Sequence, residues 1–469
     1  MIAVLAVLAG ACDSQTATRR QQGPTSSTAP SGSDLSARWA QTMSGPTNED
    51  EFDGVGAAPD GSVYVTGKFE DTVTLGDASL DSAGAADIPF ARFDAQGRPV
   101  WAQRFGGPGE DNFFDVDANA DGAVATGWFS GKVAFGSTTL TSSGPMDCVI
   151  AALAPDGATR WARAFGGPGR DGCNEVTIDE RGGVTTSIDT QGSWTTVDGE
   201  RLPRVRESDT VLMRLAPDGS PTWMRPVAGA GTQRGKSIAV APDGSVSFGG
   251  DTAGPFTIAG RTVDPPASGG RRDAWLSRWT PDGALQWVDA WGGPGDDLAK
   301  GVVDDGRTVS YVGGFTGSIT VGATTLDAGE GPDTLVAQRS AAGAVRWATS
   351  VSGSAGLDGA EAIAASDGGI LFGSQSTPSI RFGSTTGPGI PLDDADGGTA
   401  WLAHYRPDGT PGFARTIAGT ANGRVGEIAR VGSRVYVDVT LRGSQNSING
   451  KPLAVVRKDA SVWALDLGD

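Results

Sequence analysis

The residues able to do chemistry are few, and their spacing narrows them further. The chain of 469 residues holds one histidine, His404, so no second imidazole exists for a histidine metal site or a two-histidine acid–base pair. His404 lies in Trp401-Leu402-Ala403-His404-Tyr405, a stretch whose counterparts elsewhere carry Arg or Gln, and it reads as a strand substitution. No Gly-x-Ser-x-Gly elbow follows a strand and opens a helix, so nucleophilic serine chemistry has no anchor. Carboxylates are plentiful: 55 Asp and Glu against 37 Lys and Arg give a net charge of −18. Asp117-Ala118-Asn119-Ala120-Asp121-Gly122 places oxygen ligands at alternate positions before a turn glycine, the opening of a calcium loop. Its twelfth position is Trp128, where a bidentate Glu would close the shell. A hairpin turn with spare carboxylates is therefore the expectation, with calcium second and no other cofactor. Paired carboxylates for glycoside hydrolysis are compatible with the composition, but no particular pair stands out.

Other carboxylates recur. Asp87, Asp147, Asp209, Asp273 and Asp333 each lie 14 residues before an aromatic anchor, with Thr399 in the sixth place. Asp111, Asp171 and Asp297 lie ten residues after one; Gln233, Leu357 and Gly423 replace them elsewhere. An Asp repeated at the start of a strand is expected to cap backbone N–H groups within its own unit. Cys148 and Cys173 lie 25 residues apart in neighbouring units, and an exported chain would favour their pairing.

The elements that position these residues come from one repeat. Its anchors are Trp39, Trp101, Trp161, Trp223, Trp287, Trp347, Phe413 and Trp463, spaced 62, 60, 62, 64, 60, 66 and 50 residues apart. Pro155-Asp156-Gly157, Pro217-Asp218-Gly219, Pro281-Asp282-Gly283 and Pro407-Asp408-Gly409 are hairpin turns: Pro presets φ, Asp bonds its own backbone, and Gly accepts positive φ. Earlier in each unit a second turn precedes a period-two strand, as in Ala58 to Gly67, and an apolar-x-apolar-Gly element follows, as in Val73 to Gly76. No helical periodicity appears. Four or more short strands per unit of about 60 residues, seven times over, predict an all-β, seven-bladed β-propeller, in which stacking buries the faces a single unit leaves open. The anchor rings are expected to pack between adjacent blades. One terminal strand is expected to complete the blade of the other terminus. A ring that closes on itself needs no second copy, so a monomer is expected. The acidic balance argues against nucleic acid, and no apolar run reaches 18 residues.

The N-terminus reads differently. Residues 1–11, MIAVLAVLAGA, form an apolar segment ending in small residues, and Leu8-Ala9-Gly10-Ala11-Cys12 resembles a bacterial lipobox, which implies cleavage before Cys12 and acylation of that residue. Residues 12–36 are rich in Ser, Thr, Pro and Gln and read as a disordered, lipidated tether. Residues 37–469 are the propeller. Trp101-Ala102-Gln103-Arg104-Phe105-Gly106-Gly107 with Asp111, and its counterparts at Trp161 and Trp287, resemble the bacterial seven-bladed β-propeller repeat family. Phe93 to Trp101 resembles the tryptophan-docking strand of quinone-cofactor dehydrogenases and of a propeller lipoprotein serving outer-membrane protein assembly. The dehydrogenases carry adjacent cysteines, absent here, whereas the scaffold needs no cofactor. The expectation is an envelope lipoprotein, at the outer membrane or cell surface, that binds envelope proteins or polysaccharide without catalysis. The alternatives are a polysaccharide hydrolase or lyase at the propeller mouth and a purely structural surface protein. The binding residues are not fixed by the repeat; the insertion from Gly387 to Gly398 in the longest unit is the first place to look.

Overall fold

A computed structural model of the chain describes residues 35–45, 50–191, 208–266, 271–329, 331–353 and, with short gaps, 360–467. Signal segment and tether, apart from their last two residues, lie outside the described residues. Among the described residues every regular element is a β-strand. They build seven antiparallel blades of four strands each, three of them extended to six-stranded sheets by an outer hairpin. Blade 2 shows the plan: Asp111–Asn119 is innermost, followed outward by Gly122–Phe129, Asp147–Leu153 and Thr159–Phe165. Blade 1 spans residues 51–105, blade 3 171–229, blade 4 233–291, blade 5 301–353 and blade 6 362–416. The innermost strands touch in sequence, and that of blade 7 meets that of blade 1, so the ring is closed. The first–second and third–fourth strand turns lie on one face. The longer connections lie on the other.

Closure settles which terminus completes which blade. Blade 7 takes three strands from residues 424–466 and its outermost strand, Ala37–Ser44, from the N-terminus. Trp39 pairs with Ala464 as Trp161 pairs with Ala152. Trp39 is therefore the anchor of the last blade. Trp463, expected as an eighth anchor, sits instead on the third strand of blade 7, fully buried, with its Nε1–H donating to Ser461 Oγ at 2.7 Å. This shift inward by one strand explains the short 50-residue spacing. Leu35, assigned from sequence to the tether, is also buried and donates its N–H to Thr416 O at 2.8 Å, so the folded region begins two residues early.

The anchors lock each blade to the next. The indole N–H of Trp101 donates to Pro155 O, that of Trp161 to Pro217 O, that of Trp223 to Pro281 O and that of Trp347 to Pro407 O, at 2.9–3.0 Å. Trp287 does the same with Ala341 O at 2.9 Å, and Trp39 with Ala95 O at 3.3 Å. The turn glycine under each ring serves twice. Gly219 has φ +78°, and a Cβ there would stand 2.7 Å from the Trp161 ring. Burying such a ring removes on the order of 200 Å² from water, about 5 kcal/mol of gross transfer energy.

Two further devices join blades. The apolar-x-apolar-Gly elements form outer hairpins, three of which add to the preceding blade: Leu75 pairs with Met43, Ile258 with Val227 and Phe382 with Val351. Cys148, on the third strand of blade 2, is disulfide-bonded to Cys173 on the innermost strand of blade 3, with Cα atoms 5.0 Å apart. Both are fully buried.

Candidate binding site at the channel mouth

The recurring Asp residues are structural, as their repetition implies. Asp111 accepts from Gly107 N at 2.9 Å and Ser130 N at 3.0 Å; Asp297 accepts from Gly293 N and Thr316 N; Asp147 accepts from Ser143 N at 2.7 Å. Each holds a glycine turn or loop of its own blade. Burial is the leading cause that pushes Asp111, Asp209, Asp297 and Asp333 up to about 6, against the lowering pull of backbone N–H groups on the first three. The calcium-loop spacing also resolves into a turn. Asp117 Oδ2 accepts from Ile178 N of blade 3 at 2.8 Å, while Asn119 Oδ1 accepts from Asp121 N at 2.9 Å within its own hairpin. Among the described residues no group of three or more His, Cys, Asp or Glu side chains is placed to hold a metal ion. His404 is on the third strand of blade 6, stacked on Phe413 at 5.8 Å. The insertion in the sixth unit contributes Ile390–Asp393 to an outer hairpin, with 394–397 outside the described residues, and none of its described residues lines the channel.

One cavity among the described residues is the axial channel, about 870 Å³, walled by the innermost strands of all seven blades. An innermost strand has one free edge, and unpaired N–H groups there need partners. Carboxylates of the preceding blade supply them. Asp115 Oδ2 accepts from Val176 N at 2.7 Å, Glu175 Oε2 from Ile238 N at 3.3 Å and Asp189 Oδ1 from Gly235 N at 3.1 Å. Crowding the acids inside the ring has a cost visible in their protonation. Burial, then the charge of Asp117, raises Asp115 to about 7. Burial, then Asp115, Glu175 and Asp438, drives Glu427 well above the usual carboxylate range.

At the face carrying the longer connections the channel opens into a mouth of about 480 Å³. A β-bulge near the start of the innermost strand recurs in blades 1, 2, 3, 4 and 7 and turns one residue out of the ladder, toward this mouth. The occupants differ from blade to blade: Asp53, Phe114 and Lys236 among them. Glu175 adds a carboxylate and Glu427 a carboxyl whose pKa is raised by burial; Lys236, Lys300 and Arg272 stand with blades 4 and 5. Sequence reasoning missed this set because it followed the constant positions. The signal was the variable position thirteen residues after five of the anchors: Phe114, Asn174, Lys236, Lys300 and Gly426.

A closed seven-bladed β-propeller with a two-signed channel mouth is the class of molecule that fold and site define. No family model matches the chain. It is similar to the regulatory protein FlaEY of Caulobacter vibrioides, 27% identical over 344 residues, 66% of this chain and 34% of that protein. The chain spans about a third of the length of that relative. Solved structures of similar fold include the WD40 propeller domain of Doa1, at 11% identity, TM-score 0.43, covering 94% of this chain and 98% of that one. Sqt1 from Chaetomium thermophilum matches at 10% identity and TM-score 0.42, covering 93% and 100%. Synechocystis apocarotenoid oxygenase matches at 11% and 0.39, covering 91% and 93%.

Proposed function

We propose that the chain is exported, tethered to the envelope through an acylated Cys12, and works there as a non-enzymatic binding platform for protein or glycan. The observation that carries this reading is the mouth itself, where side chains from six of the seven blades converge while the rest of the repeat is committed to holding blades together. The only strongly exposed large apolar residue among those described is Val100, so no broad apolar patch competes with the mouth as a docking surface among them. The buried Cys148–Cys173 bond fits an oxidising compartment and so supports export. The similarity to a regulatory protein is compatible with a role in control.

In-cell crosslinking followed by affinity capture and mass spectrometry tests the platform, with Cys12→Ser as the control. A defined partner set lost in Cys12→Ser supports a membrane-held scaffold, and labelled palmitate on the wild type alone supports the anchor. No partner and no glycan ligand above background overturns it. A hydrolase reading draws on one feature, the Asp115 carboxyl held at about 7, in the range of a general acid. Turnover of an envelope polysaccharide abolished by Asp115→Asn would decide for it.

A further inference from the structure

The mouth over blades 2 to 4 is unlike the rest of the rim. Besides the cavity just described, an adjoining one of about 270 Å³ shares Phe114 and Asn174 with it. Its walls include Trp128 and Met146. Every anchor tryptophan is used between blades, but Trp128 is not an anchor. It lies opposite Asn112 on the second strand of blade 2, where the matching places in blades 1, 3, 4 and 7 hold Lys68, Asp189, Asp251 and Thr440. Phe114 and Trp128 are both half-buried. The structure thus sets two aromatic rings beside a charged cavity at this one point of the rim.

The second observation is Asp251. Its side chain lines the mouth with no exposed surface, and neither carboxylate oxygen accepts a hydrogen bond. Arg272 Nη1 stands 3.7 Å away. A buried carboxylate without hydrogen bonds costs more than one that is satisfied, and a ligand donating hydroxyl groups would relieve that cost. The surrounding groups are of both signs, with Asp53 and Glu175 lining the same cavity as Lys236 and Lys300, so they offer donors and acceptors without selecting a net charge. Hydroxyl groups both donate and accept, and the apolar C–H face of a pyranose ring suits an aromatic surface. Strand addition by a peptide is disfavoured at the channel wall, because N–H groups on the free edges of blades 3 and 4 are already bonded to Asp115, Asp117 and Glu175.

We propose that this mouth binds a neutral glycan, with Phe114 and Trp128 as its aromatic floor and Asp251 as a hydroxyl acceptor. The inference deepens the binding-platform reading and rests on it. Titration calorimetry on the full-length protein in detergent, with maltohexaose, cellohexaose, chitohexaose and trigalacturonic acid as probes, tests it. The expected result is saturable binding of at least one neutral oligomer, weakened tenfold or more by Trp128→Ala and by Asp251→Asn and unchanged by Asp218→Asn on the opposite face. Melting temperature is recorded for each variant; should Asp251→Asn unfold, Phe114→Leu reads the same site. Tighter binding of the uronate than of every neutral oligomer overturns the neutral class. No saccharide bound, with crosslinked protein partners present, overturns the glycan inference and leaves the platform standing. Neither kind of ligand overturns both.

Discussion

The two faces of the propeller use the same residue types to opposite ends. On the face of the short turns, Asp218, Asp282 and Asp408 each follow a proline and precede a glycine, and each carboxylate is bonded by the hydroxyl of a nearby Ser or Thr: Ser220, Thr280 and Thr410. Those hydroxyl bonds, the leading cause in each case, hold all three below the usual carboxylate range. On the opposite face Asp111, Asp209, Asp297 and Asp333 are raised to about 6, chiefly by burial. The turn face repeats nearly the same unit because each turn must receive the same tryptophan. The mouth face repeats only its caps, and its bulge positions are free to differ. One face is therefore expected to govern stability and the other ligand binding.

Gly219→Ala should break the turn face most severely. It combines positive φ with a Cβ in the Trp161 ring, and a loss of about 3 kcal/mol is expected in denaturant unfolding, with no specific effect at the mouth. Replacing Cys148 and Cys173 together by Ser removes a bond closing a 25-residue separation. About 3 kcal/mol is expected to be lost, and reductant should lower the wild-type melting temperature while leaving the double variant unmoved.

The two kinds of Asp should respond to pH with opposite signs. A carboxyl whose folded pKa is raised contributes stability that is fully present below its unfolded value near 4 and is lost as pH rises through its folded value. The buried caps, at about 6, and Asp115, at about 7, should therefore make the protein less stable at pH 8 than at pH 5, by at least ~3 °C in melting temperature. Asp111→Asn should flatten part of that slope. A melting temperature that climbs steadily from pH 5 to 8 would break the comparison. The turn carboxylates contribute with the other sign, above about pH 4, so Asp218→Asn should cost a little stability at neutral pH and progressively less as pH falls below about 4, seen by thermal denaturation. The smallest effect is expected at the mouth: Lys236→Gln should leave the melting temperature within about 1 °C of wild type while altering ligand affinity.

Much of this was legible in order along the chain. The seven-fold period, the strand-turn-strand grammar and the packing of indole rings between adjacent blades could be read because each is local: proline, aspartate and glycine in a row specify a turn without reference to the rest. The capping role of Asp87, Asp147 and their kin was legible for the same reason, since recurrence blade after blade marks a scaffold position. The candidate site was not. Phe114, Lys236, Asp251 and Glu427 lie in three different repeats, and only ring closure brings them to one opening. The insertion from Gly387 to Gly398 drew attention by its length, but an outer hairpin absorbs part of it.

By itself, then, the sequence determined the strand pattern, the blade number and the means of locking one blade to the next, because backbone dihedrals and nearest-neighbour packing decide them. Tertiary structure alone decided three things. It gave the last blade its outer strand from the N-terminus, which moved Trp463 from anchor to core. It brought Cys148 and Cys173 together. It also gathered variable residues of distant repeats around the axis, because a bulge aims each one inward only once the ring exists to define an inside.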